Sequence, residues 1–324
     1  MALMNVAVLR GGPSREYDVS LATGAAVLAN LSEDKYRAKD VLIARDGTWH
    51  TRGVPTTPDR ALRDVDVAFI ALHGEYGEDG TIQKILDAHG VPYTGSGAFG
   101  SAIAMDKGKT RELVGRLEGV RMPSYSVLYR DSVGDAYKGA AQQVFSKFGP
   151  AYIVKPLRGG SSIGILVAHS VAELVDALFE AFQDSDALIV EQFITGREAT
   201  CGVVEQLRDQ DLYSLPPIEI RVPIDKKLFD YDAKYDGQTE EICPANFTKI
   251  EKDTLERASR AVHKALNLRH YSRSDFILTT SGVYFLEVNT LPGLTPNSLL
   301  PKSVDAVGVL FGDFLDHLIM LARR

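Results

Sequence analysis

The stretch YSRSDFILTTSGVYFLEVNTLPGLTPNSLLP, residues 271–301, carries the pattern that decides the fold. Two runs rich in β-branched and aromatic residues flank the segment TTSG, and Gly282 at its end can supply the positive φ of a three-residue hairpin loop. The two runs are Arg273–Leu278 and Val283–Asn289. Closure of the loop between Thr279 and Val283 predicts an antiparallel hairpin with a defined register.

In that register Asp275 lies opposite Glu287, and Arg273 lies opposite Asn289. Side chains two residues apart share a face of a strand, so one end of the hairpin gathers two carboxylates, an arginine and an amide. Like charges directly opposite each other are destabilising, and Mg²⁺ bound together with phosphates would relieve the repulsion. Arg273 would then neutralise further negative charge. The alternatives are a hydrated surface hairpin, or a register shifted by one residue that separates the carboxylates.

The other face of the hairpin is predicted to belong to the core. It carries Phe276, Leu278, Tyr284, Leu286 and Val288. A glycine-punctuated turn, residues 289–298, follows the second strand, and rigid scaffolds commonly present functional groups on such loops.

Composition and charge narrow the class of protein. The 324 residues exceed one ordinary hydrophobic core, so two or three domains are expected. The formal charge of −7 argues against nucleic-acid binding, which favours a basic face. The chain has no run of about 18 apolar residues that would predict a membrane span, and its two cysteines fit no metal or disulfide pattern. A cytoplasmic protein without a nucleic-acid or membrane partner is therefore expected.

The first third of the chain predicts a parallel α/β sheet, because apolar strand candidates alternate with helical segments. The candidates are residues 5–10, 38–44 and 65–72, with a short edge strand at 91–96. Glu16 follows the glycine-rich turn after the first strand, where open α/β sheets bind ligands, although an acid there also favours the helix dipole. His73 follows a later strand in the same way. With Glu75 it would form a metal site or, alternatively, a hydrogen-bonded loop.

Residues 152–167 predict a strand, a Gly/Ser-rich loop and a second strand. Consecutive small residues let backbone N–H groups converge on phosphate oxygens, and Lys155 would be costly to bury without an anion. The alternative is a hairpin tip whose lysine reaches solvent. The GKT at 108–110 is not a P-loop, because Ile103 stands where that motif requires glycine.

Two helices and a long polar loop complete the prediction. Ser170 starts a capping box for a helix at 170–183, and Asp253 is the predicted N-cap of a helix at 253–268. The charged segment 223–241 carries three aromatic residues and is predicted to be a lid.

Six separated stretches match, in order, the pattern of the D-alanine–D-alanine ligases of the ATP-grasp superfamily. They are GGPSREYDVSL (11–21), HGEYGEDGTIQ (73–83), MDK (105–107), VKPLRGGSSIG (154–164), DYDAKY (230–235) and SRSDF…FLEVNTLPGLTPNSL (272–299). The resemblance implies an ATP-grasp fold, α/β with α+β character in the clamp, after an N-terminal parallel-sheet domain. Domains are expected at 1–97, 98–193 and 194–324, with the lid in the last.

The resemblance also implies the reaction and the residues that perform it. ATP would phosphorylate the carboxylate of one D-alanine, and the amine of a second would attack the acyl phosphate to give a peptidoglycan precursor. The catalytic residues would be Glu16, Ser161, Tyr235, Arg273 and Gly293, and the substrate-binding residues would be His73, Ser298 and Leu299. ATP would be bound by Lys107, Lys155, Glu191, Gln192, Ile194, Glu198 and Lys234. Two Mg²⁺ ions, with Mn²⁺ as an acceptable replacement, would be bound by Asp275, Glu287 and Asn289. A homodimer is expected on the same grounds.

Two alternatives stay open. One is an ATP-grasp ligase for another pair, such as D-alanine with D-serine or a hydroxy acid, although Tyr235 stands where relatives that use hydroxy acids carry a different residue. The other is a nucleotide-binding regulator on an inactive scaffold. An inactive scaffold would be expected to have lost the arginine, a carboxylate or the amide of the hairpin, and all four residues are present.

Overall fold

The computed structural model describes residues 3–160, 164–221 and 239–324. The predicted lid at 223–241 lies almost wholly outside these ranges, as do three predicted site residues, Ser161, Lys234 and Tyr235. Within the described ranges, no helix is long and apolar enough to cross a membrane.

A five-stranded sheet opens the chain. Its strands are β1 (Met4–Gly11), β2 (Tyr36–Ile43), β3 (Trp49–Thr51), β4 (Val54–Thr56) and β5 (Val67–Ile70), and its helices are α1 (Tyr17–Asn30), α2 (Pro58–Ala61) and α3 (Thr81–Ala88). In the order β4-β3-β2-β1-β5, β1 pairs in parallel with β2 and β5, which confirms the predicted parallel sheet; β3 and β4 extend one edge antiparallel. The segment predicted as an edge strand, 91–96, adds only an isolated bridge from Tyr93 to Ala68.

A four-stranded antiparallel sheet lies in the middle of the chain. Its strands are β7 (Tyr125–Tyr129), β8 (Tyr152–Pro156), β9 (Leu166–Ala168) and β10 (Ala187–Gln192), in the order β7-β10-β8-β9, and its helices are α6 (Arg130–Val133), α7 (Tyr137–Lys147) and α8 (Val171–Asp184). The predicted cap of α8 is confirmed, because the Ser170 hydroxyl accepts the N–H of Glu173 at 3.1 Å.

The largest sheet joins a short early strand to the C-terminal part of the chain. Its strands are β6 (Val120–Arg121), β11 (Arg197–Leu207), β12 (Gln210–Ser214), β13 (Ile218–Arg221), β14 (Glu240–Ile242), β15 (Tyr271–Thr279) and β16 (Gly282–Asn289), in the order β14-β13-β11-β15-β16-β6, with β12 paired to β11. The remaining helices of the described residues are α4 (Ala98–Met105), α5 (Lys107–Val114), α9 (Lys249–Ala265), α10 (Leu299–Asp305) and α11 (Phe311–Ala322).

The N-cap predicted for α9 is wrong. The helix begins at Lys249, and Thr248 is its cap: the Thr248 hydroxyl accepts the N–H of Glu251 at 3.3 Å, while the Glu251 carboxylate accepts the N–H of Thr248 at 2.6 Å. This reciprocal Thr-x-x-Glu capping box satisfies two N–H groups, which Asp253 alone would not do.

In the part of the chain that the structure describes, the buried side chains form three main clusters rather than one. The shared core joins the first sheet to α10, α11 and parts of β11 and β15, through residues such as Leu9, Phe69, Tyr271, Phe314 and Leu318. A second core lies under α9 and also receives Val114 and Val120, and a third, built only from residues 133–190, belongs to the middle sheet. The domain boundaries at 97 and 193 stay a prediction.

Candidate active site

The β15–β16 hairpin pairs its polar residues as the sequence predicts. Asp275 lies opposite Glu287, and Arg273 lies opposite Asn289. The turn differs, however: Thr279 pairs with Gly282, so the loop is one residue shorter than predicted. A register shift after Asp275, where Leu286 forms a bulge, restores the predicted pairing at the polar end.

The same bulge corrects the predicted core face of β16. Val283, Phe285 and Val288 are buried, whereas Tyr284 and Leu286, which were predicted to be core, are only half-buried. A two-residue turn shifts the alternation by one position up to the bulge. The Phe285 ring therefore packs edge-on against Phe276 on β15, with 5.8 Å between the centroids.

Asp275 is held by three side chains. Arg273 donates to both of its carboxylate oxygens at 3.1 Å, the Thr200 hydroxyl donates to Oδ1 at 2.5 Å, and Asn289 Nδ2 donates to Oδ2 at 3.3 Å. Burial opposes the charge of Arg273, but Asp275 and Glu287 outweigh it and raise the pKa of the guanidinium. The two carboxylates and the amide offer hard oxygens, few in number, as Mg²⁺ with phosphates requires.

Those carboxylates alone do not make a complete metal cage. Across residues 3–160, 164–221 and 239–324, no group of three or more His, Cys, Asp or Glu side chains is placed to hold a metal ion. The hairpin residues fit a metal whose remaining ligands come from phosphates and water, because Mg²⁺ is usually bound by one or two carboxylates plus substrate phosphates.

A cavity of about 860 Å³ brings four of the predicted residues together. Its described lining includes Glu16, Lys107, Lys155 and Glu287, with the Gly159–Gly160 backbone. Glycines at this position let a ligand approach the main chain closely. Among the charged residues that line this cavity, Lys107 and Lys155 can neutralise phosphate oxygens and Glu287 can bind a metal, so the cavity suits a phosphorylated, metal-bound ligand.

Lys107, at the start of α5, lines this cavity. Its ammonium donates to the carbonyl of Gly159 at 2.6 Å, and its backbone N–H donates to Leu157 O at 3.1 Å. Burial lowers the pKa of Lys107 to about 8, although Glu287 opposes the shift. An anion in the cavity would reverse that shift, since an opposite charge favours the protonated amine.

Lys155 and Glu191 form a buried ion pair. Lys155 on β8 contacts Glu191 Oε2 at 2.6 Å, and Arg111 on α5, which the sequence analysis did not single out, donates to Oε1 at 2.7 Å. Burial alone would raise the pKa of Glu191, but the two cations outweigh it and lower the pKa to about 2. Glu191 is therefore ionised at any physiological pH.

His73 connects the first sheet to the turn after the hairpin. Its Nδ1 lies 2.9 Å from Leu291 O and its Nε2 lies 2.8 Å from the Thr23 hydroxyl. A carbonyl only accepts, so Nδ1 carries the proton and Nε2 accepts from Thr23. Burial lowers the pKa of His73, which keeps the ring neutral. Glu16, at the N-cap of α1, is one of the residues that line the cavity.

Glu78 reinforces that connection. Its carboxylate accepts the N–H of Gly74 at 2.9 Å, of Thr290 at 3.1 Å and of Leu291 at 2.9 Å. Burial, together with the charge of Glu16, raises the pKa of Glu78 to about 7. Glu78 thus fixes the loop after β5 and the turn after β16 against each other.

The other residues predicted to bind adenine and ribose lie on β11 and at or just after the end of β10. Glu198 lies on β11 between Ile220 and Ile277, Gln192 is exposed at the end of β10, and Ile194 follows it half-buried. These three are not in the described lining of the cavity.

The predicted second-substrate residues lie at the start of α10. Ser298 is its N-cap, and the Ser298 hydroxyl accepts the N–H of Thr295 at 3.1 Å. Leu299, the first helical residue, is buried. A Cβ at Gly293 would come within 2.8 Å of Ser298 Oγ, so a larger residue there would displace this hydroxyl.

Comparison with known proteins accounts for the chain almost end to end. A family model described as "D-ala D-ala ligase C-terminus" matches residues 115–320, and one described as "D-ala D-ala ligase N-terminus" matches residues 5–59 and 51–96. The chain belongs to the D-alanine–D-alanine ligase family. The predicted fold class, α/β ATP-grasp after a parallel-sheet domain, is confirmed by the same family's solved structures.

Individual members of the D-alanine–D-alanine ligase family match over nearly their full length. The D-alanine–D-alanine ligase of Desulfotalea psychrophila is 41% identical over 98% of this chain and 94% of its own. The ATP-complexed crystal structure of the Bacillus anthracis D-alanine–D-alanine ligase has a TM-score of 0.77 and 31% identity, covering 98% and 96% of the two chains. The VanG D-Ala:D-Ser ligase of Enterococcus faecalis has a TM-score of 0.87 and 30% identity, covering 99% and 100%.

Three side chains of this ligase-family chain that hold predicted site residues, or the loops beside them, escaped the sequence analysis: Arg111, Glu78 and Thr200. Glu78 stands within a loop already singled out, and its spacing from His73 was the available signal. Arg111 lies on a helix face and Thr200 inside a strand, where a partner distant in sequence is not visible from local pattern.

Proposed function

We propose that the protein joins two molecules of D-alanine into D-alanyl-D-alanine at the expense of ATP. The observation that carries this proposal is that Lys107, Lys155, Glu16 and Glu287 line one cavity. Glu287 is also the hairpin residue that pairs with Asp275. Phosphoryl transfer needs positioning and charge neutralisation more than covalent chemistry from the protein, and these side chains supply both.

Lys107 and Lys155 hold the phosphates of ATP, with Lys234 on the γ-phosphate. Adenine is held by Glu191, Gln192 and Ile194, and ribose by Glu198. Asp275, Glu287 and Asn289 would hold two Mg²⁺ ions, with Mn²⁺ as a replacement, and the bound metal would supply positive charge that neutralises the phosphates. The hydrogen bonds from Arg273 and Thr200 to Asp275 support this role by fixing its carboxylate.

The substrates lie between the first sheet and the turn after the hairpin. Glu16, with Ser161 and Tyr235, holds the ammonium of the first D-alanine, close to His73. The carboxylate of this D-alanine takes the γ-phosphoryl group of ATP, and ADP leaves. Ser298 and Leu299 bind the second D-alanine, whose amine attacks the acyl phosphate. Arg273 and the Gly293 N–H stabilise the resulting oxyanion before phosphate departs.

The cellular setting follows from the reaction. The dipeptide is a precursor for peptidoglycan, and ATP is supplied in the cytoplasm, where we place the protein. We also place it in a homodimer, as the family resemblance implies, and sedimentation at micromolar concentration tests that assignment.

A phosphate-release assay tests the proposal directly. We expect ATP turnover that requires both D-alanine and Mg²⁺, with D-alanyl-D-alanine as the product identified by mass spectrometry. Turnover without that dependence, or none, would reject the proposal. The same assay includes D-serine and D-lactate as second substrates, because the VanG structure belongs to a D-Ala:D-Ser ligase. The 41% identity to a D-alanine–D-alanine ligase favours D-alanine.

A further inference from the structure

Glu191 is shared between two buried cations in a way that the proposed roles do not use. Arg111 Nε and Nη2 contact Oε1 at 2.7 and 2.5 Å, whereas Lys155 Nζ contacts Oε2 at 2.6 Å. The side chains of Arg111, Glu191 and Lys155 are 1%, 3% and 8% exposed. Each carboxylate oxygen therefore has its own cation in a site screened from water.

The three side chains come from different elements and meet the cavity differently. Arg111 lies on α5, Glu191 on β10 and Lys155 on β8. Lys155 is part of the described cavity lining and Arg111 is not. The guanidinium of Arg111 instead lies over the ring of Phe285, 5.5 Å from its centroid, which fixes it behind the ion pair.

Charge balance gives Arg111 a function. Two cations and one anion leave a surplus of one positive charge. The Arg111–Glu191 pair is neutral, so the surplus lies on Lys155, the cation that faces the cavity. Without Arg111, Lys155 would be the one cation among the described residues in direct contact with the buried carboxylate, with Lys107 acting on it at longer range, and separating Lys155 from Glu191 would be costly. The ammonium would then remain with Glu191 rather than meet phosphate oxygens.

We propose that Arg111 is a positioning residue for the nucleotide: by neutralising Glu191, it leaves the positive charge of Lys155 available to the phosphates of ATP. This inference rests on the proposed function, because it takes from it the contact between Lys155 and phosphate. It adds a residue that does not itself touch ATP and that acts through a carboxylate.

Binding of a non-hydrolysable ATP analogue, measured by calorimetry with Mg²⁺ and without D-alanine, tests the inference. Arg111→Met should weaken binding by about tenfold or more, because it cancels the surplus charge, while Arg111→Lys keeps the charge and should stay within about threefold. Arg116→Met removes an exposed arginine just after the same helix and is the matched control, with wild-type binding expected.

The decisive variant is the double substitution Arg111→Met with Glu191→Gln. It restores a surplus of one positive charge, and it is compared with Glu191→Gln alone, because Glu191 is also assigned to adenine. Adding Arg111→Met to Glu191→Gln should weaken binding by less than about threefold, against about tenfold in the wild-type background. A loss of about tenfold in both backgrounds overturns the inference. Should Arg111→Met fail to fold, a loss of about tenfold in Arg111→Lys overturns it equally.

Failure of the proposed function would look different. A wild-type protein that binds the analogue but forms no dipeptide rejects the ligase assignment and leaves the comparison of variants valid. In active protein, Arg111→Met should raise the KM for ATP and leave the KM for D-alanine within about twofold, which a general loss of structure would not do.

Discussion

Glu287 is the cavity-lining member of the carboxylate pair on the hairpin. Glu287→Gln keeps the shape of the side chain and removes its charge, so we expect kcat to fall about a hundredfold through weaker metal and phosphate binding. Phosphate release at saturating Mg²⁺ measures the effect. Glu112→Gln, on an exposed position of α5, is the control that should keep wild-type kcat. Equal kcat in the two variants would contradict the metal assignment.

Thr200 donates to Asp275 from the neighbouring strand at 2.5 Å. Residues that orient a metal ligand typically contribute about 10–100-fold in metal affinity or activity. Thr200→Val preserves the volume and removes the hydroxyl donor, so we expect the Mg²⁺ concentration for half-maximal turnover to rise about tenfold. Thr200→Ser keeps the donor and should titrate like wild type. If both variants respond alike, packing rather than the hydrogen bond fixes Asp275.

The pairing of the polar residues on the hairpin was more predictable from sequence than the side chains that hold them. Asp275 and Glu287 can be recognised as candidates from sequence because the two carboxylates stand at similar distances on either side of the hairpin turn. The hydrogen bond from Thr200 to Asp275 was not predictable, because it joins two strands whose pairing is fixed by the whole sheet. The partner of Glu191 on α5 was hidden for the same reason.

Among the elements, the hairpin shows how a sequence prediction can succeed through two compensating features. A three-residue loop was predicted, and the two-residue turn would have put Asp275 and Glu287 out of register without the bulge at Leu286. Neither the short turn nor the bulge has a compelling local signal in TTSG or FLEV. Their combination is selected by burial of Phe285 against Phe276.

The connection between α9 and β15 carries a pH-sensitive contact to the first sheet. Gly95 donates its N–H to Nδ1 of His270 at 3.0 Å, so that nitrogen must be unprotonated. Burial, helped by Arg269, lowers the pKa of His270 to about 4 against the ordinary 6.5. The charged and titratable groups around it also include Glu205, His263 and His317.

The sign of the resulting pH dependence follows from proton uptake. Above pH 6.5 His270 is neutral in both states. As the pH falls towards 4, the unfolded chain binds a proton that the folded one excludes, so the free energy of unfolding drops by on the order of 3 kcal/mol. His270→Asn keeps an acceptor and tolerates the φ of 62° at this position.

Urea unfolding between pH 7 and pH 4 measures that dependence. We expect the wild-type free energy of unfolding to fall more steeply with acid than that of His270→Asn, by the amount assigned to His270. Parallel curves for the two proteins would show that other groups account for acid sensitivity.

Over the whole molecule, the separation of the hydrophobic clusters predicts how the protein opens. Residues 133–190 bury their own core, while the first sheet and α11 share one. Cooperative unfolding units follow contiguous cores. We therefore expect the middle sheet to open separately from the rest of the protein, and its amide hydrogens to exchange faster than those of the first sheet. An ATP analogue with Mg²⁺ should raise protection mostly in β8 and β10, which carry Lys155 and Glu191. Uniform protection across the chain would contradict this division.

The family and the ordered motifs were predictable at this scale, but the distribution of the cores was not. Residues 98–193 were predicted to form one subdomain, and Val114 and Val120 from that range are buried with the C-terminal sheet. Strand β6 explains this, since two residues pairing with β16 draw the preceding helices onto that sheet. Such short pairings leave almost no trace in hydrophobic periodicity.

Helix α11 completes the core of the very first sheet, with Phe314, Leu315, Leu318 and Ile319 fully buried there and Lys35 paired to Asp316. During synthesis on the ribosome, the opening strands emerge long before this last helix, with one apolar side uncovered. A gene truncated shortly before the codon for Phe311 would therefore yield a product in which no α11 covers the core of the first sheet. We expect cellular proteases to degrade this product while the full-length chain accumulates.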